Sequence, residues 1–191
     1  MSVNHVSKTP LDERESWRTP PWLFAWAASL VGGFHYDAAC TVDNALARPL
    51  WDIDDDSFEN EDSLHPELIW PTDSRIWLNP PYSDTKRWVR KAIDSKALCA
   101  LLIPSPNGEA IYEELIPAAH EIHIVGRIAF IGADDKPKTG NTRGSSLFIV
   151  NGYSRGTRAV VNRDDLAAQF SDQKPKRAEL RLVRESEQGP A

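Results

Sequence analysis

Arg75-Ile76-Trp77-Leu78-Asn79-Pro80-Pro81-Tyr82 is the stretch on which the reading of this chain turns. After Arg75, its first half is an apolar strand of the kind a parallel sheet buries on both faces. Its second half stops that strand, because proline fixes φ and brings no N–H to a ladder. A buried strand therefore runs into a stiff polar corner. In α/β proteins ligands bind outside the carboxyl ends of parallel strands, which is where such a corner falls.

The pattern on either side fits that frame. Trp88, Val89 and Ala92 fall on one helical face after the corner, and Leu98–Pro104 is a second all-apolar strand. A helix is predicted over 108–119, interrupted near Pro117. Strands follow at 121–125 and 127–131 with a bend at Gly126, then a strand at 145–150 and a short helix at 164–170. Upstream, Thr19 caps a helix from Pro20 to Leu30 that Gly32-Gly33 ends, and Phe34–Asp37 is a strand closing on a carboxylate. Strands alternating with helices predict the α/β class with a mixed, mostly parallel sheet. The last two strands are joined by a turn-rich loop rather than a helix, which predicts an antiparallel hairpin at one edge.

A chain of 191 residues fits one domain. The expected division is a flexible segment 1–16, the folded domain 17–170, and a charged, disordered tail 171–191. No apolar run approaches the roughly 20 residues needed to span a bilayer, so no membrane partner is expected. The first sixteen residues lack the apolar stretch of a secretory signal, which predicts a cytosolic protein. Cys40 and Cys99 sit among small or apolar residues and read as buried thiols without a disulfide. The net charge of −6 runs against a polyanionic partner. That balance is uneven, however: acids crowd residues 52–62, whereas 126–163 is rich in Lys and Arg and can present a local basic face.

The corner carries a specific chemistry. An exocyclic amine on an aromatic base is a poor nucleophile, because its lone pair is delocalised into the ring. Two acceptors aimed at its hydrogens favour a pyramidal nitrogen and stabilise the positive charge that develops there. The side-chain oxygen of Asn79 and the carbonyl of Pro80 supply such a pair from adjacent positions, Pro80 and Pro81 keep them rigid, and Tyr82 offers a flat face for an extruded base. The string does not fix the substrate: cytosine N4, guanine N2 in RNA and a glutamine amide present the same planar nitrogen.

Beyond the corner, the sequence resembles the phage-type DNA N6-adenine methyltransferases, a family related by name to Dam, over roughly residues 16–151. The likeness runs through Trp17-Arg18-Thr19-Pro20 with Leu23-Phe24, Phe34, Asp37-Ala38-Ala39, Asp43-Asn44-Ala45, Asp62-Ser63-Leu64 and Trp70. It continues through Trp77–Ser83, Trp88, Leu101–Pro104, Gly126–Phe130 and Ser146–Ile149. It implies a Rossmann-like methyltransferase sheet of seven strands and S-adenosylmethionine as donor, with a flipped adenine in double-stranded DNA as substrate. Asp37 would take the donor's ammonium group, Thr19 and Pro20 would lie near its methionine end, and Asp62 would meet its adenine. Asp43 or Asn44 would serve its ribose, and Asn79 would reach both substrates. A bacterial cytoplasm would be the setting for a phage-encoded member.

The chain departs from usual patterns in two places. No G-x-G-x-x-G loop is present, and Asp37-Ala38-Ala39-Cys40 stands there instead, with Ala39 small enough for close approach. The spacing also leaves no room for a separate target-recognition domain. Sequence reading then falls to loops, with Gly132–Gly144 and its Lys136, Lys138 and Arg143 as the candidate phosphate grip. No metal is expected: Asp52–Asp62 places Ser57 where a calcium loop needs glycine, and His120 and His123 have no cysteine nearby. Trp22 and Trp26 share a helical face and read as core. Trp51 and Trp70 are left between base contact and loop anchor. No obligate protein partner is inferred. The rival readings are N4-cytosine methylation and a DNA-binding decoy that keeps the fold without chemistry.

Overall fold

The computed structural model describes residues 17–52, 62–106, 109–138, 141, 143–152 and 154–172. The expected flexible segment 1–16, residues 53–61 of the acidic stretch and the tail from 173 lie outside the described residues.

Helix α1 (Pro21–Val31) begins on Pro20, which takes the cap position in extended backbone (φ −60°, ψ 139°). The Pro20 carbonyl accepts the amides of Leu23 and Phe24 at 3.0 and 3.2 Å. Thr19 therefore does not cap the helix as the sequence predicts: no side chain makes a capping bond, and Thr19 is buried instead. The reason is local, since Pro21 has no N–H for a cap to satisfy. The helix ends on Gly32 at φ 79°, a conformation that costs other residues strain. An added Cβ there would meet nothing within 4 Å. Gly32→Ala therefore isolates the backbone term and is expected to lower stability by about 1 kcal/mol in urea unfolding, with an unchanged slope.

The strands are β1 (Tyr36–Asp37), β2 (Arg48–Pro49), β3 (Arg75–Leu78), β4 (Leu98–Pro104), β5 (Ala119–Val125), β6 (Phe130–Ile131), β7 (Pro137–Lys138), β8 (Ser145–Val150) and β9 (Thr157–Asn162). The remaining helices are α2 (Thr85–Ser95), α3 (Ile111–Ala118) and α4 (Arg163–Phe170). Seven of these strands form one sheet in the order β2-β1-β3-β4-β8-β5-β9. Every neighbouring pair is parallel except the two made by β8, which runs antiparallel between β4 and β5. The α/β class and the mostly parallel mixed sheet are thus as the sequence predicts.

The antiparallel element is placed differently in detail. Its partners are β8 and β5, near one edge, and β9 adds a further parallel strand outside β5. The stretch 127–131 contributes only Phe130–Ile131, paired with Pro137–Lys138 in a separate two-stranded ribbon. The sequence hides β9 because an edge strand with one solvated face needs few apolar residues. Thr157, Arg158, Val160 and Asn162 are exposed.

Helices cover both faces. On one, Trp88 and Val89 of α2 and Leu115 of α3 pack on Ile76, Leu78, Leu101 and Phe148. On the other, Leu23 and Trp26 of α1 and Leu166 and Phe170 of α4 pack on Trp77, Leu102, Leu147 and Ile122. Trp26 is core as expected, with Trp22 partly buried beside it. Trp51 and Trp70 are both buried, and their indole N–H groups hold the carbonyls of Cys40 and Ser63, so they anchor the loops. Neither Cys40 nor Cys99 is in a disulfide; Cys99 is buried as expected, which pushes its thiol up to about 12, whereas Cys40 is only partly buried because it lies in the loop after β1. Among the described residues no helix is long and apolar enough to cross a membrane.

Candidate active site

Strand β1 lies between β2 and β3, so the chain leaves it in one direction along the sheet and later returns on its other side. That reversal opens a crevice at the carboxyl ends of β1 and β3. Asp37 pairs in register with Trp77 on the neighbouring parallel strand, and the amide of Ala38 donates to the Trp77 carbonyl at 3.0 Å. The corner after β3 therefore lies beside the carboxylate that ends β1. Two motifs 42 residues apart in sequence meet because two short parallel strands are neighbours.

A shallow, half-open cleft occupies this crevice. Asp37, Trp77, Asn79 and Pro81 line it from the sheet side. Ala39, Asn44 and Leu46 close it from the loop after β1, and Trp17, Arg18 and Thr19 form the opposite wall. The turn that carries Asn44 is held by its own side chain, which accepts the Thr41 amide at 2.8 Å.

Asp37 is only 3% exposed, and its Oδ2 accepts the Leu46 amide at 3.1 Å. Burial pushes its carboxyl up to about 7 from an ordinary 3.8, against the opposing pull of the Leu46 and Ala39 amides. Two backbone donors do not replace the water that the charge has lost. A cationic group brought into the cleft would restore the carboxylate.

The corner leaves acceptors in reserve. The Pro81 carbonyl accepts the Asp84 amide and the Thr85 hydroxyl, tying down the single 3₁₀ turn at Tyr82–Asp84. The Pro80 carbonyl and the Asn79 side chain have no hydrogen bond from another described residue. The Asn79 side chain lines the cleft and is thus available to a ligand, whereas Pro80 is buried outside the lining.

Of the residues the sequence singles out, Thr19, Asp37, Ala39, Asn79 and Pro81 are brought together on the cleft wall. Of the alternatives Asp43 and Asn44, Asn44 lines the cleft, whereas Asp43 is exposed outside the lining. Pro20 and Pro80 are buried behind the lining residues. Tyr82 is half-buried on the turn that leads to α2 and interacts electrostatically with Tyr112 of α3. Asp62 accepts the Leu64 amide at 2.8 Å and neighbours Lys91 of α2, also outside the lining.

In the candidate DNA loop, Lys138 pairs with Asp134 at 3.2 Å and Arg143 with Glu109 at 3.0 Å, while Lys136 is exposed at the turn. Residues 139, 140 and 142 of that loop lie outside the described residues. Among the described residues no cluster of His, Cys, Asp and Glu is arranged to hold a metal. Sequence reading gave no site role to Trp17, Arg18, Leu46 and Trp77. The available signal was adjacency, since Trp17-Arg18 directly precede Thr19 and Trp77 lies two residues before Asn79.

The sequence model of the family described as DNA N-6-adenine-methyltransferase (Dam) matches residues 6–171. A DNA N-6-adenine-methyltransferase of Escherichia phage T1 is 27% identical over 197 aligned residues, covering 93% of this chain and 79% of the phage protein. No solved structure matches the chain. With the match extending over most of its length, including both walls of the cleft and the Asn79–Tyr82 corner, this chain belongs to the DNA N-6-adenine-methyltransferase (Dam) family.

Proposed function

We propose that the protein methylates N6 of adenine in double-stranded DNA, with S-adenosylmethionine as donor and the target adenine flipped out of the duplex to the Asn79–Tyr82 corner. The observation that carries this reading is the shared cleft, in which a buried carboxylate and an unpartnered asparagine face the same space.

The residues present fit the donor. Asp37 at the base is suited to an ammonium group, Asn44 to ribose hydroxyls, and Leu46 with Trp77 to an apolar ring edge. When bound, the donor supplies a methyl group activated by a sulfonium sulfur.

The chain's own residues do the remaining work. Asn79 and the Pro80 carbonyl accept the two amine hydrogens and turn the nitrogen's lone pair out of the ring plane. Pro80 and Pro81 hold those acceptors in place before the base arrives, which saves reorganisation during transfer. Tyr82, at the far side of the corner, gives the extruded base a face to stack on, a contact worth about 1–3 kcal/mol. Lys136 grips phosphate directly, and Lys138 and Arg143 do so by exchanging their present carboxylate partners for the duplex, which makes binding strongly salt-dependent.

The test is product identity. DNA incubated with the protein and S-adenosylmethionine, digested to nucleosides and weighed, is expected to contain N6-methyl-2′-deoxyadenosine and unmodified 2′-deoxycytidine. N4-methylcytosine as the sole product would replace this reading with its rival. Unmodified DNA, together with no heat on titration with S-adenosylmethionine, would leave a DNA-binding decoy.

A further inference from the structure

The wall made by Trp17, Arg18 and Thr19 is not self-supporting. Arg18 and Ile131 exchange backbone hydrogen bonds, Arg18 N–H to the Ile131 carbonyl at 2.8 Å and Ile131 N–H to the Arg18 carbonyl at 2.9 Å. Residue 18 thereby extends the β6–β7 ribbon by one strand position. Its guanidinium reaches on to the ribbon's turn, where Nη2 donates to the Gly132 carbonyl at 2.7 Å and to the Asp135 carboxylate at 2.6 Å. Trp17 stacks on Phe130, with ring centroids 6.3 Å apart and planes inclined by 19°.

The turn that receives Arg18 is tightly built. Gly132 N–H donates to the Lys136 carbonyl at 2.9 Å and Asp135 N–H to the Gly132 carbonyl at 3.1 Å, with Asp135 at φ 59°. A Cβ at Gly132 would lie 2.1 Å from Cε of Lys138, so ribbon and turn pack as one piece. Asp135 has an 80% exposed side chain and no place in the cleft lining, yet it fixes a residue that lines the cleft. Directly after it comes Lys136, the exposed cation of the candidate DNA loop.

We infer that Arg18 is a positioning residue that links the cleft to the β6–β7 ribbon, so that DNA on the ribbon and donor in the cleft strengthen each other's binding. The inference rests on the cleft being the donor site. Wall and ribbon are ordered together because Arg18 belongs to both. A ligand that immobilises either one lowers the ordering cost of the other. The Arg18 side chain is only 21% exposed, so its bond to the Gly132 carbonyl is partly shielded, whereas its bond to the 80% exposed Asp135 carboxylate is open to solvent. Linkage requires the effect to be reciprocal.

Asp135→Asn is the discriminating variant. Asparagine tolerates the left-handed backbone at this position, so only the charge that holds Arg18 is removed. The full chain is titrated calorimetrically with S-adenosylhomocysteine, which cannot react, with and without a saturating mixed-sequence duplex. The reciprocal measurement is the anisotropy of the labelled duplex with and without S-adenosylhomocysteine. In the wild type each ligand is expected to tighten the other about fivefold or more, within the usual range of coupling between sites. In Asp135→Asn that gain is expected to fall below about twofold while both ligands still bind singly. Arg18→Lys, which keeps the charge but ends one atom short of Nη2, is expected to lose most of the gain as well. Thermal melts show whether either variant is folded, and Arg18→Lys decides the matter should Asp135→Asn not be.

Equal coupling in the wild type and a folded variant, or none in the wild type, would overturn the inference. A wild type that takes up no S-adenosylhomocysteine at all would instead sink the donor-site reading beneath it.

Discussion

Asn79→Ala is expected to lower the rate of methyl transfer about 10³-fold while changing donor affinity less than about threefold. The asymmetry follows from where the side chain acts. Asn79 lines the cleft but makes no hydrogen bond to another described residue, so truncating it breaks no internal bond of the fold. On the proposed reading, what it removes is one of two acceptors for the substrate amine. That acceptor matters most when the nitrogen carries developing positive charge, which makes it an interaction of the transition state rather than of the bound ground state. Removing a single preorganised group of this type costs roughly 10²–10³ in turnover, and the loss here lies at the upper end because the nucleophile is weak without it.

Asn79→Asp provides the internal control. It keeps an oxygen acceptor at the same position and is expected to retain a measurable part of the activity, whereas Asn79→Ala is not. Incorporation of labelled methyl groups into DNA, read beside calorimetric donor titration, gives both quantities. Full activity in Asn79→Ala would remove the corner from the chemistry. An equal loss of donor affinity in both variants would recast Asn79 as a donor-binding residue alone.

The parts of the molecule that sequence reveals are those whose cause is local. Two prolines and a glycine pair bracket α1, an apolar run ending in Pro104 can be little but a buried strand, and a strand that runs into Asn79-Pro80-Pro81 must stop there. The parts it conceals are set by tertiary neighbours. Thr19 looks like a cap, and only the position of Pro20 shows that it turns into the cleft. Arg18 looks like a charge beside a helix start, whereas its partners lie 114 and 117 residues further on. β9 is hidden because an edge strand can be largely exposed. Asn44, rather than its neighbour Asp43, lines the cleft because the Thr41–Asn44 turn is closed by the Asn44 side chain, a choice that spacing alone does not make. Asp37 is the intermediate case: its place at a strand end is local, but the burial that gives it chemical character comes from the loop that folds Leu46 over it.

Asp37→Asn is expected to stabilise the free protein and to weaken donor binding, two effects with one origin. With its carboxyl pushed up to about 7 in the fold, Asp37 holds a proton that the unfolded chain releases near 3.8. The folded state therefore binds the extra proton between those values, and stability falls as pH rises through that window. Below about pH 4 the group contributes nothing, and above about pH 7 its cost levels off at up to about 4 kcal/mol. Asparagine keeps an oxygen for the Leu46 amide and carries no charge to bury. The variant should accordingly unfold at a higher urea concentration than the wild type at pH 8, with the difference vanishing toward pH 4. The same substitution deprives the cleft of the charge that an ammonium group needs, which is expected to weaken S-adenosylmethionine about 10- to 100-fold at pH 7.5. In the wild type, donor binding must displace the Asp37 proton at acidic pH. Affinity should thus drop close to tenfold per unit between about pH 7 and pH 5, with proton release visible as a dependence of the calorimetric heat on buffer. Asp37→Asn should lose that pH dependence together with the affinity. A variant that binds the donor as tightly as the wild type at pH 7.5, or one whose stability difference does not shrink on acidification, would place the ammonium site elsewhere in the cleft.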